Sequence, residues 1–354
     1  MQINNLTLIP NWCFGDAEGR RLHVSLLPLL DAIERCKKLT RAAQECDLSY
    51  RHAWNILQEA EVFFGAPVTL KQRGRGASLT KLGQVLLQAN QRLDARLHTQ
   101  MESLAMELNA QVQKVLSDHA KVLNIYASHG YAVALIPKHL KGFQTSLHYH
   151  GSSDALKALH AGSCKIAGFT LPLHHRIASQ RRRYDSLVDR SDTHILGFIK
   201  RQVGFMVSPD AERGISGVDD IVEQNLRFIN RQPRSGTREL FDQFCSEASI
   251  DMNEIKGYDQ YEYTHSAVAA QVATGMADVG FGIETAAARF KLKFVPATED
   301  VYLWAYKESD ESAPEIESFK SMLKETMFQE EVNKLPGYEC ERCGDDLAYV
   351  DLLS

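Results

Sequence analysis

Apolar positions recur along this chain with two different periods, and the change from one to the other divides it. Over the first hundred residues the period is helical. "SLLPLLDAIERC" sets Leu26, Leu29, Leu30 and Ile33 on one face. "LTRAAQECDLSYRHAWNILQEAEVFFG" then predicts two short helices. Thr40 reads as the N-cap of the first, which carries Ala42, Ala43 and Cys46; Ser49 reads as the N-cap of the second, with Ala53, Ile56 and Leu57 inward. Asp47-Leu48 forms a tight turn, and the small side chains before it let the two helices pack closely, which is the helix-turn-helix pattern. The second helix turns Ser49, Tyr50, Arg51, Trp54 and Asn55 outward at its N-terminal end, where they can meet phosphates and base edges, with Thr40 beside them. A plain helical hairpin fits these helices equally well. The next segment shifts the balance. Runs 67–71 and 77–80, around Gly74 and Gly76, predict a β-hairpin whose tip carries Lys71, Arg73 and Arg75. No acidic residue occurs from Val62 to Leu93. A basic hairpin behind a helix-turn-helix reads as a wing contacting DNA.

From Thr80 to about Asp118 the pattern is one long helix with a single glycine, Gly83, and no proline. Leu82, Leu86, Leu87, Leu93, Leu97, Leu104, Leu108 and Val112 form its stripe. A small winged domain cannot cover a stripe of this length, so a second copy is expected to, giving a homodimer with two reading heads; assembly of dimers into a tetramer stays open. Beyond Lys121 the period shortens to that of strands, which alternate with helices from "KVLNIYASHG" to "LKFVPATEDVYLWAY" and predict a parallel sheet with ligand at the strands' carboxyl ends. The expected domains are a winged helix-turn-helix over 1–79, a linking and dimerising helix over 80–118, and an α/β effector-binding domain over 119–354.

Three strand-to-helix junctions of the last domain share one chemistry: Ser128-His129-Gly130, Gly151-Ser152-Ser153 and Ser235-Gly236-Thr237-Arg238. Each presents hydroxyls and backbone N–H groups to an anion. A fourth segment leads Glu262, Tyr263, Thr264 and His265 into a helix. A single junction of this kind is ordinary capping; several in one domain point to a cleft for a small anion. Arg238 either neutralises that ligand or bridges two lobes.

A net charge of −5 excludes a surface that is basic throughout, though not a local basic patch. No basic, then apolar, leader opens the chain, no run approaches a bilayer's thickness, and seven scattered cysteines suit a reducing compartment, so a cytoplasmic location without membrane contact is expected. Cys340-x-x-Cys343 has no second pair to complete a zinc site, which leaves it a weak metal or redox candidate. His148-Tyr149-His150, His174-His175 and Arg181–Arg183 read as surface features. Gly280-Phe281-Gly282 lacks the rest of a dinucleotide fingerprint, and no nucleophile constellation is spaced for catalysis. No cofactor and no enzymatic activity are expected.

The front, from "LLDAIERCKKLTRAAQECDLSY" to "TKLGQVLL", resembles the winged helix-turn-helix of LysR-type regulators and of molybdate-responsive ModE-type repressors. The back resembles the PBP-like domain of bacterial regulators related to periplasmic molybdate- and tungstate-binding proteins, through "ASHG", "HGSSDALKALHAGSCKIAGFTL", "RFINRQPRSGTR", "YEYTHSAVAAQVATGMADVGFGIE" and "LPGYE". The resemblance implies a type II periplasmic-binding-protein fold of two α/β lobes, with Ser128, Ser152 or Ser153 and the Ser235–Thr237 turn lining the cleft. It also implies molybdate or tungstate as effector and an operator DNA as partner. Two departures, Gly130 where an acidic residue is expected and the "GYECERCGDD" tail, keep formate or another small carboxylate as the alternative ligand. A redox protein or enzyme using the cleft and Cys340/Cys343 is the rival from another class, and a protein-docking module is the third.

Overall fold

In a computed structural model the described residues are 7–72, 76–116, 122–173, 188, 191–209, 214–340 and 342–348. Arg73, Arg75, His174, His175 and Arg181–Arg183 lie outside them. The chain divides into two compact units, Ile9–Asp94 and a larger one made of Ala95–Ser354 with the first eight residues.

The smaller unit packs α1 (Leu26–Cys36), α2 (Leu39–Glu45) and α3 (Tyr50–Phe64) around Leu29, Leu30, Ile33, Ala42, Ala43, Ala53 and Ile56, all buried. The Ser49 hydroxyl caps α3 by accepting from the His52 N–H at 3.2 Å. Thr40 is not a cap. The α1 helix closes at Lys37 in the left-handed region (φ 55°), one extended residue follows, and α2 starts at Leu39, which places Thr40 inside the first turn. Strands β1 (Thr69–Gln72) and β2 (Gly76–Leu79) form the antiparallel hairpin. Gly76 has φ +100°, and a Cβ there would stand 2.1 Å from the Lys37 carbonyl oxygen, so hairpin and α1 meet backbone to backbone.

Helix α4 (Lys81–Leu116) runs through the division at 94/95. Its stripe is only partly available to a second copy: Leu86 and Leu87 are buried in the smaller unit's own core, with Leu82 packed against it. Leu93, Leu104 and Leu108 are exposed on the single chain.

The larger unit is built on one sheet in the order β4-β3-β5-β10-β6-β9-β7-β8. Its strands are β3 (Val122–Ala127), β4 (Gln144–Tyr149), β5 (Ile166–Pro172), β6 (Thr193–Val207), β7 (Phe228–Arg231), β8 (Tyr261–Glu262), β9 (Val279–Ile283) and β10 (Lys293–Lys307). The sheet is mixed, not parallel as expected. Pairing is parallel among β3, β4 and β5 and among β7, β8 and β9. It turns antiparallel at β6 and β10, fifteen-residue strands that pair with each other and each flank one parallel set. The chain crosses from one lobe to the other and back along these two strands, and opposite crossings pair antiparallel. β6 is buried over most of its length and β10 chiefly over its second half, with Tyr302, Trp304 and Phe198 in the core.

Candidate functional site

On α3 the outward residues Ser49, Tyr50, Arg51, Trp54 and Asn55 are all exposed, as is Thr40 on α2. An exposed tyrosine and tryptophan beside an arginine, one turn apart on the helix that follows the tight turn, form a compact surface able to meet both phosphate and base. Lys71 lies in β1.

The larger unit holds a cleft of about 1070 Å³. Ser128, His129, Ser152, Ser153, Ser235, Gly236, Thr237, Tyr263 and His265 all line it. Their positions follow from chain direction. β3 ends at Ala127 and delivers Ser128, and β4 ends at Tyr149 and delivers Gly151–Ser153 at the start of the Ser152–His160 helix. β7 ends at Arg231 and delivers Ser235 as N-cap of the Gly236–Glu247 helix. Within a parallel set the strands end on one edge, which brings the Ser128 and Gly151–Ser153 junctions together; the β7 set runs the opposite way, and its junction lines the same cleft. The first junction opens only a 3-10 turn and a four-residue helix, so its contribution is the serine and histidine and not a helix dipole. The Ser128 hydroxyl donates to the Tyr302 hydroxyl at 3.3 Å, Ser152 Oγ accepts from the Thr170 N–H at 3.3 Å, and Ser235 Oγ accepts from the Arg238 N–H at 3.2 Å.

Arg238 does not line the cleft. Its guanidinium binds Asp242 at 3.0 Å and the Tyr258 carbonyl at 3.2 Å, and lies 3.8 Å over the Tyr258 ring. It serves the helix that carries it.

Arg96, Arg201, Arg231 and Arg234 do line the cleft, and sequence reading singled out none of them; Arg201 and Arg231 are buried there. Arg201, on β6, is buried opposite Asp300 on β10; its Nε donates to that carboxylate at 2.8 Å, with a second bond from Nη2. Burial pulls this guanidinium's pKa down, and the Asp300 carboxylate more than reverses that. Arg231, the last residue of β7, has no such partner. Its Nε donates to Gln232 at 3.1 Å and its Nη2 to the Tyr263 carbonyl at 3.0 Å, while its buried Nη1 has none, and no carboxylate among the described residues pairs with it. Burial first, and the like charge of Arg201 second, lower it to about 9, so it remains a cation at neutral pH.

The cleft histidines stay neutral. Burial takes His129 down to about 4 against the pull of Glu102, and burial with Arg231 and Arg201 nearby takes His265 well below its ordinary value. Among the described residues neither ring hydrogen-bonds to a hydroxyl or thiol; His129 packs edge-on to Tyr149, and His265 Nδ1 is unpartnered. Arg96–Glu262 is internally paired. The balance is a donor-rich cleft with one buried, uncompensated positive charge, and the exposed Arg234 and Lys157 are also among its lining residues.

Cys340 and Cys343 are free thiols that hydrogen-bond to each other: Cys343 donates, which holds Cys340 below the usual thiol range and pushes Cys343 up. Among the described residues they gather no third ligand; the group that does come together is His194, Glu308 and Glu311, within 4.8 Å of one another at the surface. No helix among the described residues is long and apolar enough to cross a membrane.

Comparison with known families matches residues 133–324, more than half of the chain, to the PBP superfamily domain, and residues 24–84 to the bacterial regulatory helix-turn-helix protein family of lysR type. The chain belongs to the PBP superfamily, behind a LysR-type helix-turn-helix. It is a ligand-responsive regulator of transcription of that type. This regulator is 25% identical over 248 residues to the uncharacterized protein YvgK of Bacillus subtilis (strain 168), covering 68% of the chain and 78% of YvgK. It is 32% identical over 123 residues to the molybdenum-pterin-binding protein MopB of Rhodobacter capsulatus, covering 33% of the chain and 46% of MopB. Among solved structures, CbnR, a LysR family transcriptional regulator, aligns with 84% of this chain and 98% of its own at 14% identity and a TM-score of 0.39.

Proposed function

We propose that this regulator binds a small oxyanion, molybdate or tungstate, in the cleft of its PBP-like unit, and acts as a dimer on operator DNA through α3 and the β1–β2 wing. Arg231 carries the reading. A buried cation without a counter-charge is costly unless something supplies one, and an anion in the cleft does so while taking its remaining bonds from serine and threonine hydroxyls and backbone N–H groups. The likeness to a molybdenum-pterin-binding protein supports molybdenum chemistry. The cleft is far larger than one tetrahedral oxyanion, which fills the space of a few waters of ~30 Å³ each, so binding is expected to draw the lobes together.

The shifted histidines are the feature that favours an enzyme. Neither is within hydrogen-bond reach of a side chain it could activate, and we read the site as one for binding without turnover. The test is thermal unfolding of the full chain with molybdate, tungstate, sulfate, phosphate, formate and nitrate. At a thousandfold over its dissociation constant a true ligand adds about 4 kcal/mol. A shift with molybdate or tungstate that sulfate does not reproduce is the expected result. A shift with formate alone replaces the ligand, and no shift with any of the six overturns the reading.

A further inference from the structure

We propose that α4 is itself a wall of the anion cleft, so that the ligand is read directly by the helix that continues into the helix-turn-helix unit. The inference rests on an anion occupying the cleft and adds a further set of residues that hold it.

Arg96, Thr99, Gln100 and Ser103 line the cleft. Their spacing of three, four and seven residues puts them on one face of a 3.6-residue helix. Sequence reading assigned this stretch of α4 to dimerisation through its leucines and passed over the polar face beside them. The helix is also clamped where the cleft needs it. Glu262, almost fully buried, accepts from Arg96 Nε at 2.8 Å and from Gln271 Nε2 at 2.6 Å, and the Ala95 carbonyl accepts from the Thr264 hydroxyl at 3.4 Å. Ala95 and Ala105 are buried, small enough to let the helix lie close. The clamp and the cation are neighbours in the sheet: Arg231 and Glu262 are register partners in the β7–β8 pair, and Arg231 Nη2 donates to the Tyr263 carbonyl between Glu262 and Thr264. A displacement of Arg231 toward an anion is therefore felt by the segment that grips α4.

The chemistry of the polar face complements the charge of Arg231. Arg96 is neutralised by Glu262, so this face adds hydroxyl and amide donors from Thr99, Gln100 and Ser103 without adding net charge. Arg231 supplies charge and the α4 face neutral donors to one ligand in the same cleft.

The full-length protein is titrated with sodium molybdate and sodium tungstate, with sulfate as control, following affinity calorimetrically and amide hydrogen exchange over residues 96–104. The variant combines Thr99→Ala, Gln100→Ala and Ser103→Ala, and alanine, the best helix former, leaves α4 intact. Glu107→Ala, an exposed α4 position outside the cleft, is the control. Slower exchange over 96–104 on binding, with affinity about tenfold or more weaker in the triple variant and unchanged in the control, is the expected result. Wild-type affinity in the triple variant with unaltered exchange over 96–104 removes this wall while leaving the cleft reading in place. Absence of binding by the wild-type chain removes the ligand and the wall together.

Discussion

Arg231 concentrates the tension between folding and binding in one side chain. A buried guanidinium with an unpartnered nitrogen costs stability in the ligand-free protein, and the same group attracts the anion. Arg231→Gln is expected to leave the ligand-free melting temperature unchanged or raise it, by up to about 2 kcal/mol of stability, while abolishing the anion-induced shift. A ligand-free loss of several degrees would instead assign Arg231 a structural task, through its bond to the Tyr263 carbonyl. His129 gives a second prediction. Its folded pKa of about 4 lies below the ordinary 6.5, so between those values the unfolded chain binds a proton that the folded chain refuses. Stability should rise with pH from about 4 to 6.5 and be flat above, and His265, shifted the same way, adds to the slope. His129→Gln should remove about 2–3 kcal/mol of that dependence, read from melting temperatures across pH 4–8. An equally steep slope in the variant would place the titration elsewhere.

At the scale of elements, the errors of sequence reading come from where a strand or helix stops. The polar run Asn230-Arg231-Gln232 carries no sequence signal of a strand, yet β7 extends to Arg231 with all four of its positions buried and brings Arg231 to the cleft. The Arg238–Asp242 pair, in contrast, was visible as an i,i+4 contact of opposite charges, which favours a helix-bound arginine over a ligand arm. The serine junctions were legible because Ser and Gly at the ends of apolar runs carry a local signal. The polar face of α4 was not, because Thr, Gln and Ser on a long helix look like solvated surface until a cleft is placed against them. Gly83 was visible only as an anomaly. A Cβ there would fall 2.1 Å from the Val68 carbonyl oxygen, so α4 needs glycine to pass the strand approach. Gly83→Ala should destabilise the smaller unit by about 3 kcal/mol or more, against a gain near 1 expected from helix propensity alone. Thermal unfolding decides, and a stabilised variant would show that the contact yields.

At the scale of the whole molecule, the two lobes were legible as repeated strand–helix alternation and β10 as the strand in "LKFVPATEDVYLWAY", but the first half of the other crossing strand, β6, was not. β6 carries Lys200, Arg201 and Gln202 in its middle, which breaks the apolar pattern and leaves only "VGFMVSP" to be recognised as strand. Those polar positions matter because the crossing is where the lobes share backbone and where Arg201 meets Asp300 in register, at the cleft. By cancelling the charge of Arg201, this pair leaves Arg231 as the buried arginine of the cleft without a carboxylate. Asp300→Asn should therefore act in two opposite directions. Leaving Arg201 buried without its carboxylate should cost about 3–5 kcal/mol of ligand-free stability. Adding a second buried, uncompensated cation to Arg231 should strengthen anion binding, so saturating molybdate should recover a larger share of melting temperature than it adds to the wild type. Thermal unfolding with and without molybdate reads both effects. If stability and anion response fall together, Asp300 holds the crossing strands in place and does not set the charge that the ligand meets.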